Sequence, residues 1–222
     1  MYPPTLSAFD ISEIIITALS KYWWAILVIL LLKIWRLPSL KGWFGEKAVD
    51  RALKRLPTDS YTIYHDIYLP RPDGKGTTQI DHLAVSRFGI FVIETKNYQG
   101  WIFGSERQRN WTQSIYKKKY KFQNPLHQNK LHINALAALL ELNTNKFHNL
   151  IYFVGECTLK TELPPNVMTS GILKYIHSQH SPLLSEQELS HSLRTLNSHI
   201  QSYDKRQVAK QHKMSLRSNV EC

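Results

Sequence analysis

An apolar run near the start of the chain constrains its architecture more than any other feature. Residues 14–32 read IIITALSKYWWAILVILLL, and as a helix they would extend about 28 Å at roughly 1.5 Å per residue. That length matches the ~30 Å hydrocarbon layer of a bilayer. Lys21 lies inside the run, where a charge costs about 2.5–3.5 kcal/mol unless it snorkels outward. The unbroken apolar and aromatic residues that follow Lys21 outweigh that cost.

The flanks of this run indicate its orientation. Acidic residues precede it and basic residues follow it, and basic flanks remain on the cytoplasmic side. We therefore expect a membrane anchor over residues 1–36, with a single transmembrane helix at about 12–35 in the inner (cytoplasmic) membrane and the C-terminal domain in the cytoplasm. A cleaved signal peptide and a buried core helix remain open alternatives, although a signal peptide would have a basic start and a hinge-like stretch from Pro38 separates the run from the rest.

The charge of the chain favours a polyanionic partner. The formal net charge is +11, and three basic against two acidic residues among the first 36 leave +10 on the remainder. Nucleic-acid phosphates and anionic lipid headgroups are both attracted by such an excess. The two cysteines, Cys157 and Cys222, are too few for a disulfide framework or a cysteine-based zinc site.

The rest of the chain alternates between helical and strand-like patterns. Such an order predicts an α/β fold with a central mixed sheet flanked by helices, occupying residues 37–204 and followed by a basic, flexible tail at 205–222. A helix before Pro57 is followed by a strand at 61–69 and a loop at 70–76. Strands at 78–86 and 89–95 then form an antiparallel meander, with 101–103 as a possible third strand after that loop. The remaining predicted elements are a helix from Pro125 to about Leu142, a buried strand at 150–154, and a helix that begins with a capping box at 185–188.

Charged residues in two neighbouring strands indicate chemistry. Asp81 lies in a largely apolar strand, and the next strand ends in Glu94 and Lys96. Because strand side chains alternate, Glu94 and Lys96 share a face, and a hairpin can place Asp81 beside them. Two neighbouring carboxylates repel each other, and a hard divalent cation with oxygen ligands relieves that repulsion. We expect Mg²⁺ (or Mn²⁺) between the two acids, with Lys96 orienting water, accepting its proton or neutralising developing charge during phosphodiester hydrolysis.

These residues resemble a known family. The D-x12-E-x-K pattern of Asp81, Glu94 and Lys96 is similar to that of the PD-(D/E)xK nucleases, and residues 42–142 resemble the nuclease-related domain called NERD. The stretches that carry the resemblance are Gly45-Glu46, TTQIDH at 77–82, GIFVIETKNYQGWIFG at 89–104, Trp111-Thr112-Gln113 and FQNPLHQNKLH at 122–132. The resemblance implies a restriction-endonuclease-like core, a role in DNA processing, metal ligation by Asp81, Glu94 and the Thr95 main-chain carbonyl, and a catalytic role for Lys96.

The resemblance also assigns two further catalytic candidates. Glu46 corresponds to the acid of the first helix, which helps shape the metal site in such nucleases. Gln128 resembles the glutamine of a Q-x-x-x-Y element, although His132 stands in place of the tyrosine and Ile80 in place of the motif's proline. Plainer interpretations remain open at this point: a solvated Glu94–Lys96 pair, a helix-dipole role for Glu46, and a surface position for Gln128.

A basic and aromatic segment at 105–122 is the predicted nucleic-acid contact. Such a strip can hold a phosphate backbone and stack exposed bases; the alternative is a solvated hairpin whose aromatic residues pack inward. The residues assigned to binding are Arg107, Arg109, Trp111, Lys117, Lys118, Lys119 and Lys121. The sequence thus favours a membrane-anchored nuclease acting on nucleic acid, most of all DNA, without a small-molecule cofactor. A catalytically silent module that binds nucleic acid or anionic lipid and a purely structural membrane protein are the competing hypotheses.

Overall fold

The computed structural model of the protein describes residues 20–25, 27–29, 38–71, 74 and 76–218. The chain divides into two compact units, residues 1–44 and 45–222. In the first unit, residues 20–25 and 27–29 are helical. Much of the predicted anchor at 12–35 lies outside the described residues, and none of the helices described is both long and apolar enough to cross a membrane.

The described part of the chain contains both helices and strands. The helices are α1 (Pro38–Leu53), α2 (Pro125–Leu140), α3 (Ile172–Ser178), α4 (Glu186–Gln201) and α5 (Lys205–Ser218), and the strands are β1 (Thr62–Pro70), β2 (Thr77–Ser86), β3 (Gly89–Asn97), β4 (Gly100–Phe103), β5 (Asn110–Ile115), β6 (Lys118–Gln123), β7 (Phe147–Val154), β8 (Cys157–Leu159) and β9 (Val167–Met168). The α/β class predicted from the sequence is confirmed.

The first sheet has the strand order β1-β2-β3-β7-β9. Strands β1, β2 and β3 pair antiparallel, as the meander prediction requires, and β7 and β9 add parallel partners beyond β3. Helices α2 and α4 pack on one face, where Leu136 and Leu196 contact the sheet core. Helices α1 and α3 cover the other face through Leu53 and Ile176. The sheet is therefore mixed and buried between helical layers, which explains its long apolar strands.

A second mixed sheet, with the order β6-β5-β4-β8, was not predicted. Residues 101–103 form β4 of this sheet and are not a third strand of the meander, and the segment 105–122 contains the β5–β6 hairpin. The parallel pair β3–β7 of the first sheet continues as the parallel pair β4–β8 of the second sheet, because β3 leads into β4 and β7 leads into β8. Gly100 (φ 79°) and Gly155 (φ 93°) lie at the junction. Their left-handed backbone, which glycine adopts without strain, turns both strands into the second sheet.

The C-terminal segment also differs from its prediction. The capping box is present, since Ser185 and Glu188 exchange hydrogen bonds at the start of α4. The residues predicted as a flexible tail form α5 over Lys205–Ser218. His212 holds that helix against β2, because its Nδ1 lies 3.0 Å from the Thr77 hydroxyl. This helix was not predicted because its amphipathic pattern contains few apolar residues.

Candidate active site

Asp81 lies where strands β2 and β3 part. Their ladder ends at the pair His82 and Ile93, and the next residues in register would be Asp81 and Glu94. In place of a backbone bond, the Asp81 carboxylate accepts a hydrogen bond from the Thr95 backbone N–H at 2.9 Å. The carboxylate therefore occupies the gap between the strands, directly beside the residues at the end of β3.

Glu94 is the centre of a buried polar network. It is 3% exposed, and one of its oxygens accepts a hydrogen bond from Lys96 Nζ at 2.6 Å. The other oxygen lies 3.2 Å from His132 Nε2, while His132 Nδ1 lies 2.7 Å from the Thr78 hydroxyl. Because an ionised carboxylate only accepts hydrogen bonds, Nε2 carries a proton. This burial excludes the interpretation of Glu94 and Lys96 as a solvated surface pair.

Helix α2 brings Gln128 to the same place. Its side-chain oxygen accepts a second hydrogen bond from Lys96 Nζ, at 2.9 Å. Asn124 caps the helix by accepting from the Leu126 N–H. Asn129, one residue beyond Gln128, donates to the Val92 carbonyl at 2.8 Å and so ties the helix to β3. The start of α2 is thereby fixed against the sheet, and Gln128 with it.

The site opens into a cleft of about 410 Å³. Asp81, Gln128 and His132 line one part of it. Arg71 and His212 line another part, the latter from helix α5. The wall also includes Gln123 at the end of β6, so the cleft extends from the polar network toward the second sheet. A cleft lined mostly by polar residues that include the cationic Arg71 suits a ligand with an anionic group.

Burial and neighbouring charges perturb the acids in opposite directions. Burial, followed by the charge of Glu94, raises the pKa of Asp81 well above its usual range, and the nearby Glu46 adds to this. Burial also opposes ionisation of Glu94, but Lys96 and His132 outweigh it and lower the pKa of that carboxyl. The pKa of Lys96 is raised, because Glu94 outweighs the effect of burial on the ammonium. Lys96 therefore remains protonated at neutral pH.

Comparison with known proteins identifies the family. The sequence matches the nuclease-related domain, NERD, over residues 41–154. The chain belongs to the NERD family. It is also 46% identical to an uncharacterized protein of Bacillus anthracis over 123 residues, which are 55% of this chain and 57% of the relative. The chain thus aligns with less than two thirds of that relative's length. No solved structure matches the chain.

The matched region contains every residue of the polar network. Asp81, Glu94, Lys96, Gln128 and His132 all lie within residues 41–154, whereas α3, α4 and α5 follow it. Membership in the NERD family indicates a nuclease-related function. His212 reaches the cleft from outside the family region, on the C-terminal helix of this chain.

The donor atoms of this NERD site suit a hard cation in chemical type. Asp81 and Glu94 supply carboxylate oxygens, and a divalent ion would relieve the repulsion from Glu94, which adds to burial in raising the pKa of Asp81. Within the described part of the chain, no group of three or more His, Cys, Asp or Glu side chains is placed to hold a metal. An ion here would therefore depend on the two acids together with main-chain oxygen such as that of Thr95.

The structure brings together most of the catalytic candidates predicted from the sequence. Asp81, Glu94, Lys96 and Gln128 meet at one end of the cleft. Glu46, on α1, lies close enough to raise the pKa of Asp81 electrostatically.

The predicted nucleic-acid contacts divide into two groups. Six are exposed on the β5–β6 hairpin and the loop before it: Arg107, Arg109, Lys117, Lys118, Lys119 and Lys121. The prediction that Trp111 contacts nucleic acid is wrong, because this residue is fully buried. Its ring stacks on Phe153 and its indole N–H donates to the Ser105 carbonyl. The ring therefore belongs to the core of the second sheet and has no surface to offer a base.

Sequence reasoning missed the role of two residues in the network. The sequence indicates a structural or phosphate-contact role for His132 and a replacement of tyrosine, but it does not predict that His132 bridges Glu94 and Thr78. Its spacing of four residues from Gln128 was the available signal, since residues four apart share one face of a helix. Thr78 offered no comparable signal, because a threonine in a strand is ordinary.

Proposed function

We propose that this NERD protein is a divalent-metal-dependent nuclease that hydrolyses phosphodiester bonds of nucleic acid, with DNA as its main substrate. One observation carries the proposal. Asp81, Glu94, Lys96 and Gln128 converge in a buried network at one end of a cleft, whose walls bear Arg71 and His212. This convergence of acids and a lysine supports the PD-(D/E)xK type of phosphodiesterase chemistry that the sequence pattern predicts.

Each side chain of the network has a role in the proposed reaction. Lys96 stays protonated because Glu94 raises its pKa, so its function in the resting site is electrostatic. In the proposed reaction it neutralises charge that develops on a phosphoryl oxygen. Gln128 and Glu94 fix the direction of its ammonium group through two hydrogen bonds. Glu46 adjusts the charge around Asp81 from helix α1.

A divalent ion completes the proposed chemistry. Asp81, Glu94 and the Thr95 carbonyl would hold Mg²⁺ or Mn²⁺, which when bound would polarise a phosphoryl oxygen and acidify a water molecule. Binding would require Glu94 to share an oxygen that now bonds Lys96 or His132. Lys96 would remain paired with Gln128 in that arrangement.

The proposed location is the inner face of a cytoplasmic membrane. The apolar run at 14–32 and the basic residues that follow it support an anchor at about 12–35, with the NERD domain in the cytoplasm. Protease added to spheroplasts should leave the domain intact, and protease added to inverted membrane vesicles should release it. Digestion in intact spheroplasts would contradict this orientation.

The nuclease proposal is tested with the full chain in mild detergent. Supercoiled plasmid, linear duplex, single-stranded DNA and RNA are each incubated with Mg²⁺, with Mn²⁺ and with chelator. The parent should cut with metal only, and Lys96→Ala and Asp81→Ala should lose at least 100-fold in rate. Lys174→Ala, an exposed lysine of α3, is the matched control and should cut like the parent. Absence of cutting with either ion, or equal cutting by the site variants, would refute the proposal.

A catalytically silent binding module is the second candidate. One observation favours it: both oxygens of Glu94 are already engaged by protein side chains. A closed network of this kind can be purely structural. Tight binding of nucleic acid with no cleavage under any metal condition would support this candidate over the nuclease.

A further inference from the structure

The second sheet presents one open face with an ordered set of side chains. Strand residues alternate between faces, and the inner face contains Ile102 and Trp111, which are buried. The opposite face is here called the outer face. It consists of Trp101 and Phe103 on β4, Asn110, Thr112 and Ser114 on β5, Lys119, Lys121 and Gln123 on β6, and Thr158 and Lys160 on and just beyond β8.

Two parallel rows cross this outer face. In the first row, Trp101 lies opposite Ser114, which lies opposite Lys119. In the second row, Phe103 lies opposite Thr112, which lies opposite Lys121. Each row thus has an aromatic ring on β4 and a lysine two strands away, about 10 Å apart at the usual strand spacing. The rings are two residues apart on one strand, or about 7 Å.

Trp101 has the properties of a stacking residue. Its side chain is 53% exposed although it is a large apolar group on a sheet. Lys160 Nζ lies 4.7 Å from the centre of its ring, so a third cation borders the aromatic strand. Ser114 and Thr112 lie on β5 between β4 and β6, and their short side chains protrude little from the sheet.

The charge of the outer face has a single sign. None of its residues is acidic, and Lys119, Lys121 and Lys160 supply three positive charges around two rings. Lysines on an edge strand such as β6 can also serve only to prevent sheet-to-sheet aggregation. That role accounts for the lysines, but it does not account for the exposed Trp101 on the interior strand β4.

The outer face leads directly to the candidate active site. Along β6, Lys119, Lys121 and Gln123 follow one another on the same face, about 13 Å from first to last. Gln123 also lines the cleft that contains Asp81. A second cavity, lined by Arg109, Asn110, Gln123 and His127, adjoins the same glutamine. A nucleic-acid strand lying on the outer face would therefore meet the cleft at Gln123.

We propose that the outer face is a platform for single-stranded nucleic acid that delivers the strand to the cleft. Bases stack on Trp101 and Phe103, while the phosphates lie near Lys119, Lys121 and Lys160. A single strand fits better than a duplex, because its bases are free to stack on side chains whereas those of a duplex are not. The delivery step depends on the proposed nuclease function, but the binding step does not.

The binding step is measured without cleavage. Full-length protein in detergent and chelator is titrated into a fluorescein-labelled single-stranded 20-mer of thymidylate, and anisotropy is followed across salt concentrations. Trp101→Ala should weaken binding about fivefold or more, since one stacked base contributes at least that much. Lys119→Ala/Lys121→Ala should weaken binding and reduce the slope of log K against log salt by about 1.4.

Matched variants separate this platform from general charge effects. Lys174→Ala/Arg194→Ala removes two exposed charges elsewhere and should leave the salt slope nearly unchanged, apart from a small long-range contribution. Trp101→Phe should retain most of the affinity and Trp101→Ala should not. Circular dichroism is compared across all variants, so that loss of fold is recognised.

Several outcomes would overturn the platform. They are equal weakening by the two double variants, no effect of Trp101→Ala, stronger binding of a duplex of the same length, and competition by soluble dioctanoyl phosphatidylglycerol as effective as that by unlabelled strand. Binding that depends on the outer face without any cleavage would retain the platform and reject the nuclease. Cleavage that is unaffected by the outer-face variants would retain the nuclease and reject the platform.

Discussion

At the scale of single residues, the buried pair of Glu94 and Lys96 determines much of the site. A buried ion pair is a weak source of stability as a whole, but removal of one partner leaves an uncompensated charge in the interior. Among the described residues, Glu94 would keep only His132 as a hydrogen-bond partner. Loss of function and loss of stability in Lys96 variants are therefore expected together and must be separated.

We predict that Lys96→Ala lowers the free energy of unfolding by about 3 kcal/mol. The double variant Glu94→Gln/Lys96→Met should regain most of this stability, because both charges are removed and the volume is kept, yet it should remain inactive. Urea denaturation gives the first quantity and plasmid cleavage the second. Lys205→Ala, which breaks the exposed pair with Asp66, should change stability by less than about 1 kcal/mol. A double variant as unstable as the single one would contradict this explanation.

His148 makes stability depend on pH. Its ring stacks on Phe91 and contacts the Phe88 carbonyl, and burial lowers its pKa in the folded protein. Below the unfolded value of about 6.5, the unfolded chain takes up the proton first. The stability associated with a neutral His148 is therefore complete above that pH and is lost as the pH falls toward the folded pKa.

We predict that the parent loses stability relative to His148→Gln when the pH is lowered from 7.5 to 5.0. The glutamine keeps a donor for the Phe88 carbonyl but does not titrate in this range. The difference should grow by at most about 1.4 kcal/mol per pH unit. Denaturation in chelator measures it, and His180→Gln, at an exposed position, should follow the parent. Parallel pH profiles of the parent and His148→Gln would exclude this origin.

At the scale of elements, helix α2 connects the fold to the site. Its start was predictable from Pro125, and its apolar stripe from Ile133, Leu136 and Leu140. The importance of Asn124 was not predictable, because an asparagine before a proline also suits an ordinary turn. In the structure Asn124 is fully buried and its amide donates to the carbonyls of Ser105, Glu106 and Gln108. Such long-range partners leave no periodic trace in a sequence.

Asn124→Asp is predicted to destabilise the protein by about 2–3 kcal/mol. The aspartate retains the cap on Leu126 but faces three carbonyl oxygens that lose their donor. Thermal unfolding followed by circular dichroism measures the change. Asn143→Asp is the control, since Asn143 is exposed and its side-chain oxygen accepts a bond from the Asn145 N–H, as an aspartate oxygen also can. It should stay within about 0.5 kcal/mol of the parent. Similar losses in both variants would indicate that the three carbonyl partners contribute nothing.

At the scale of the molecule, the sequence predicted one sheet and the structure has two. The meander, the buried strand β7 and the residues of the acidic cluster followed from alternation and apolar runs. The second sheet did not follow from these patterns, because its strands are short and one of its faces is polar. The sequence predicts Trp111 as a surface group, whereas the structure buries Trp111 and exposes Trp101. Only the pairing register, which is a long-range property, distinguishes the two tryptophans.

The final prediction concerns the junction where one sheet continues into the other. Gly100 has φ 79°, and a Cβ there would overlap the Ser114 carbonyl oxygen, which belongs to the backbone and cannot rotate away. Gly100→Ala should therefore cost about 3 kcal/mol or more in stability, from backbone strain and overlap together. It should also weaken binding to single strands, because β4 carries Trp101.

Gly171→Ala isolates the steric part of this effect. Gly171 has φ 77°, but a Cβ at that position meets nothing within 4 Å. The strain of a left-handed alanine alone should cost about 1–2 kcal/mol, and binding to the outer face should be unchanged. Urea denaturation and anisotropy titrations of both variants measure the two effects. Gly100→Ala should therefore lose more stability and more binding than Gly171→Ala. Equal losses of stability and equal binding in the two variants would show that the close packing of β4 against β5 does not hold the outer face in place.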